Sequence, residues 1–156
     1  MARLPLQTNA RAGTFALISA YRTAAGLDLG QVYRARPTRI KVPSVYIDRI
    51  TESTDGFTIE ERQRTVRVYV RCVWGVYDGG DTVDQRDRFV DGFYAYVADN
   101  GRDSFGANAD AVRWVGVEDD ENFQADWIDT SRSRSAPPSN EPLYMTEITL
   151  EGFAST

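Results

Sequence analysis

From Thr65 to Trp74 the chain alternates without a break. Val66, Val68, Val70, Cys72 and Trp74 fall on one side of an extended backbone, and Thr65, Arg67, Tyr69 and Arg71 fall on the other. Successive side chains of a strand point to opposite faces. The pattern therefore prescribes a strand with one apolar face against a core and one polar face turned away from it. A chain containing it has to build a sheet and cover one side of that sheet. The strand is expected to span residues 58–76. Cys72 stands in the apolar row, where a small core hydrophobe describes it better than a reactive thiol, because nothing in the row would lower its pKa.

The covering layer is also legible. Residues 8–25 read as a helix: Thr8 or Asn9 can cap it, and Thr14, Leu17, Ile18, Tyr21 and Ala25 recur at helical spacing. Gly26 then sits where a left-handed residue closes a helix. A second helix starts at Asp81 or Thr82 and stops at Asn100-Gly101. Thr82 and Gln85 have capping-box spacing, and Asp84 and Asp87 complement the N-terminal dipole. Its stripe is Val83, Arg86, Val90, Phe93 and Val97, widened by Phe89, Tyr94 and Tyr96.

Four more stretches read as strands: residues 31–35, 40–50, 111–117 and 143–153. In the second, Val45 and Ile47 oppose Ser44, Tyr46 and Asp48; in the third, Val112 and Trp114 oppose Ala111, Arg113, Val115 and Val117. In the last, Tyr144, Thr146, Ile148 and Leu150 alternate with Met145, Glu147, Thr149 and Glu151. Residues 51–56 read as a polar turn and residues 118–142 as a long polar loop. The order predicts an α+β domain: an antiparallel or mixed β-sheet with two helices packed on one face. A single domain over residues 1–156 is expected.

Composition narrows the chemistry. There is no histidine, which removes Ser-His-Asp, Cys-His and imidazole-metal sites. One cysteine allows neither an internal disulfide nor a thiolate zinc cluster. The segment from Asp78 to Asp84 and the run Glu118-Asp119-Asp120-Glu121 invite a calcium reading, but the first lacks the ligand spacing of an EF-hand loop and helix capping accounts for its aspartates. The second reads as a solvated loop face. No pair of carboxylates stands in a context that marks a cleft, and Gly79-Gly80 lacks the Lys-Ser/Thr ending of a phosphate loop. No catalytic residue, metal or cofactor is expected, and the chain is read as a non-enzyme. No stretch has the ~20 apolar residues of a membrane span, and residues 1–7 lack the apolar core of a signal peptide.

Eighteen basic against 23 acidic side chains leave a net charge of −5, so the whole field does not favour coating nucleic acid. Lys41 is the sole lysine; codon usage explains that number, and arginine also suits interface ion pairs. The strand carrying Arg62, Arg64, Arg67, Tyr69 and Arg71 admits three readings: a nucleic-acid platform, an exposed face, or a face buried against another subunit. The third is favoured. Trp127, Arg132 and Arg134 in the long loop complete the candidate interface.

Four stretches taken together resemble the tail terminator (tail completion) proteins of long-tailed bacteriophages. They are the N-terminal helix followed by Val32-Tyr33-Arg34-Ala35-Arg36-Pro37; Pro43-Ser-Val-Tyr46-Ile-Asp48; the strand from Arg62 to Arg71 with its Gly/Asp turn and the helix bearing Asp87, Asp91 and Gly92; and the closing strand from Leu143 to Glu151. The likeness is one of pattern and order over most of the chain. It implies a virion protein assembled in the host cytoplasm: a ring, usually a hexamer, that caps the tail tube protein, docks to the head-tail connector protein and lets DNA through its bore. Six copies would bring about −30 to that ring, and a negative bore would let phosphates pass without sticking. The alternatives are another phage neck or minor tail protein, or a small domain that binds an anionic ligand through the arginine-bearing face. The first is told apart by tube-end binding, the second by a monomer that takes phosphorylated ligands.

Overall fold

Val66, Val68, Val70 and Cys72 are wholly buried and Trp74 nearly so, as the alternation requires. The computed structural model describes residues 6–26, 31–56, 62–76, 80–101, 112–123, 128–129 and 142–155. Its elements are α1 (Leu6–Ala25), β1 (Gln31–Tyr33), β2 (Ile40–Lys41), β3 (Ser44–Gly56), β4 (Arg62–Val76), α2 (Gly80–Asn100), β5 (Arg113–Phe123), β6 (Ile128–Asp129) and β7 (Leu143–Ser155). Five strands form one sheet in the order β1-β3-β4-β7-β5, parallel at β1–β3 and antiparallel elsewhere. The fold is α+β with a mixed sheet.

Both helices pack on the face that carries the apolar row of β4. Leu17, Ile18 and Tyr21 of α1 and Phe89, Phe93 and Val97 of α2 share one core with Val45, Ile47, Ile148 and Leu150. α1 lies over β1, β3 and β4, and α2 over β4 and β5. Gly26 closes α1 at φ +63°, the left-handed conformation glycine accommodates without a steric cost.

Tyr21 of α1 reaches α2 close against Gly92. A Cβ there would collide with the Tyr21 hydroxyl, which donates to the Phe89 carbonyl at 3.2 Å. Tyr21 cannot swing aside, because its ring packs against Phe89, Phe93 and Tyr96. Gly92→Ala is therefore expected to lower stability by about 2 kcal/mol in urea denaturation, over-packing and the lost hydrogen bond outweighing the gain in helix propensity. A more stable variant would show that the helices do not touch there.

Several expectations are corrected. Residues 51–56 are strand: β3 continues to Gly56, paired through Gly56↔Arg62, so the polar sequence belongs to a two-stranded arm with little core to cover it. Residues 40–50 are two strands, interrupted at Val42-Pro43, a cis peptide, where proline offers no amide to a ladder. β1 ends at Tyr33. β5 runs on to Phe123, into the expected loop, and a bulge between Trp114 and Gly116 throws Val115 outward and turns Val117 to the helix side. Tyr94 is 56% exposed, on the outer shoulder of α2. Residues 58–61 and most of 124–142 lie outside the described residues.

The face away from the helices is only partly open. The short β2–β6 ribbon is parallel, and its Ile40 joins Tyr46, Val73, Phe123, Leu143 and Met145 in a second small core. Val73 lies on the same side of β4 as Arg67, Tyr69 and Arg71 and is apolar because that core covers it.

Candidate functional site

The open part of that second face is built by the polar row of β4 and its neighbours. Register sets Arg67 opposite Thr51 and Glu151, Tyr69 opposite Arg49 and Thr149, and Arg71 opposite Tyr46 and Glu147. Each arginine meets a partner that sequence alone did not reveal. Arg67 Nε donates to Glu151 Oε2 at 2.8 Å, while Arg113 of β5 donates to Oε1 through Nε at 3.0 Å and Nη2 at 2.5 Å. Glu151 is 3% exposed and clamped from both sides. Burial alone would raise its pKa; the two guanidiniums outweigh it and hold the carboxyl below the usual range. Glu151 in turn raises the pKa of Arg67.

Arg71 is more enclosed. It donates to Glu147 at 3.0 Å, lies 3.5 Å from Asp48, and has the Tyr46 hydroxyl beside it. Burial opposes its charge, yet these partners raise its pKa overall. The Tyr46 phenol is pushed up by burial. Asp48 reaches Arg71 because β3 bulges between Ile47 and Arg49. Arg49 lies over the Tyr69 ring at 4.2 Å and Arg113 over Phe153 at 5.1 Å, so the open face is a sheet of stacked guanidiniums, rings and carboxylates.

Arg67, Tyr69 and Arg71 are thus brought together as expected. Arg64 is not: the same two-residue period puts it on the helix side, where it pairs with Glu52 at 2.5 Å. Arg62 heads β4, and its side chain lies outside the described residues, as do Trp127, Arg132 and Arg134.

The acidic run does not converge on a point. Asp119 faces α2, where Arg86 donates to it through Nε at 3.1 Å and Nη2 at 2.9 Å. Thr146 also donates to Asp119 at 2.7 Å and receives the Trp74 indole N–H at 2.9 Å. Glu118 and Asp120 alternate to the other face. Among the described residues, no group of three acidic or thiol side chains is placed to hold a metal ion. Cys72 is sealed among apolar neighbours, and burial drives its thiol pKa far up. No described helix is long and apolar enough to cross a membrane.

Neither the known family models nor the curated proteins contain a match to this chain.

Proposed function

We propose that this chain is a structural subunit of a phage tail, a terminator-like protein that forms a ring at the tube end and joins it to the head-side connector while DNA passes through the bore. The observation that carries the reading is the open sheet face. Its polar groups are already matched to one another, Glu151 with Arg67 and Arg113, and Glu147 and Asp48 with Arg71, and rings lie beneath three of its arginines, Arg49, Arg71 and Arg113. Such a surface, aromatic and arginine-rich, has the composition of subunit interfaces. The order of elements in the resemblance and the −5 charge per copy add to it.

The alternative of an anionic ligand on this face has less support, because Arg67 and Arg71 would have to leave carboxylates to take it. A neighbouring neck or minor tail protein would present a similar surface, and tube-end binding separates it from a terminator.

The test is direct. Purified protein is mixed with tail tubes assembled from the tube protein of the same genome, and the ends are imaged by electron microscopy. A ring on one end of each tube is the expected result. Bare ends at saturating protein would overturn the terminator reading, and a monomer that binds phosphorylated ligands would favour the anionic-ligand alternative.

A further inference from the structure

Charge in this molecule is sorted across the sheet. Among the described side chains of α1 and of residues 31–56, six are basic and two acidic; among those of α2 and β5, three are basic and eight acidic. The strand order puts these groups on opposite flanks, with β1 and β3 at one edge under α1 and β5 at the other under α2. Three strand spacings, about 14 Å, separate β3 from β5, more than the ~8 Å over which charges feel one another at physiological salt. The two flanks therefore act on their surroundings as separate patches of opposite sign.

Internal pairing sharpens the contrast. Both acids on the basic flank are held by β4 arginines, Asp48 by Arg71 and Glu52 by Arg64. Two of the three arginines on the acidic flank are likewise taken, Arg86 by Asp87 and Asp119, and Arg113 by Glu151. Arg34, Arg36 and Arg49 stay exposed on one flank, and Glu118, Asp120 and Glu121 on the other.

Each flank also offers shape and backbone. The acidic one presents the exposed Tyr94 and Val115, with Tyr94 edge-on to Trp114. The basic one carries a groove of about 300 Å³ between α1 and β3, lined by Arg11, Ala12, Arg34 and Ile50. Among the described residues, nothing pairs with the outer side of β5, or with that of β3 beyond Tyr46. Open edges template further pairing unless charge guards them, and a guard of one sign becomes recognition for an edge of the other.

We propose that the acidic α2/β5 flank of one copy docks on the basic α1/β1/β3 flank of the next, a head-to-tail contact between copies of this chain. Two different patches on one subunit give a heterologous interface, which closes into a ring when the rotation allows. The proposal rests on the reading of the chain as a ring subunit and names its lateral contact.

Charge reversal tests it. Glu118→Lys/Glu121→Lys takes the described side chains of the acidic flank from three basic and eight acidic to five and six, and Arg34→Glu/Arg36→Glu takes those of the basic flank from six and two to four and four, so each variant loses the charge surplus of one flank and keeps that of the other. Sedimentation equilibrium at high protein concentration and low salt should show wild type associating, with Kd rising at least about tenfold between about 50 and 500 mM salt. Each variant alone should be monomeric with an unchanged far-UV spectrum, and an equimolar mixture of the two should associate again. A chain carrying all four substitutions should stay monomeric, since neither of its flanks keeps a surplus to attract the other. A wild type that stays monomeric, variants that assemble as wild type does, or a mixture that remains monomeric would each overturn the contact. If both variants assemble normally and still cap tubes, the ring reading survives and only this contact fails; if wild type neither associates nor caps tubes, both fail.

Discussion

Phe89→Ala is expected to cost about 4 kcal/mol, the most damaging single change in the described core. Phe89 is 1% exposed and joins the two helices to the sheet. Its ring meets Tyr21 edge-on at 5.4 Å, Trp74 edge-on at 5.5 Å and Phe93 at 5.5 Å. Truncation removes these contacts together and leaves a cavity lined by three large rings, two of them, Tyr21 and Phe93, packed on each other, which cannot readily collapse to fill it. Against a typical domain stability of about 5–15 kcal/mol, such a loss leaves little margin. Urea denaturation measures it, with Phe89→Leu as a control that keeps most of the volume and should lose about 1–2 kcal/mol. A cost below about 1 kcal/mol for the alanine variant would mean that the aromatic cluster does not hold the layers together.

Glu151→Ala is the second large effect, and its pH dependence makes it diagnostic. Removing the carboxylate leaves Arg67 and Arg113 facing each other across β7 without their shared acceptor. Arg67 is 49% and Arg113 65% exposed, so both can be rehydrated and the cost is expected to be about 2 kcal/mol at pH 7, below that of stranding a fully buried charge. Glu151→Gln should lose about half as much, since it can still accept one hydrogen bond. The native pKa of Glu151 is depressed, so its electrostatic contribution is complete above the unfolded carboxyl value near ~4.3 and disappears as pH falls through the lower native value. The gap in stability between wild type and Glu151→Gln should therefore close on acidification. A gap that persists unchanged at low pH would show that the arginine clamp does not hold an ionised Glu151.

These two residues differ in how far sequence foretold them. Phe89 stood on the apolar side of a helix with capping signals, and its burial followed from the 3.6-residue period. Glu151 stood on the polar row of a strand, and nothing local distinguished it from Glu147. Its role comes from Arg113 and Arg67, 38 and 84 residues away, which register delivers to its two oxygens. The same holds for Asp119, one of four consecutive acids and the one whose side of β5 meets Arg86 and Thr146. Errors at strand ends have a common source. The arm of β3 and β4 is polar because no helix covers it, and the bulge at Trp114 reverses the faces beyond it, so periodicity that reports burial could register neither.

By itself, then, the sequence determined the two helices, the middle of each main-sheet strand, which face of β4 is buried, and that histidine and disulfide chemistry are excluded, because burial of one face leaves a local and periodic imprint. Tertiary structure decided which arginines find carboxylates, which part of the second face the β2–β6 ribbon covers, and that the basic and acidic surpluses occupy opposite flanks. Those depend on strand order and register, β1-β3-β4-β7-β5 with its bulges, which bring together residues whose separation along the chain carries no signal.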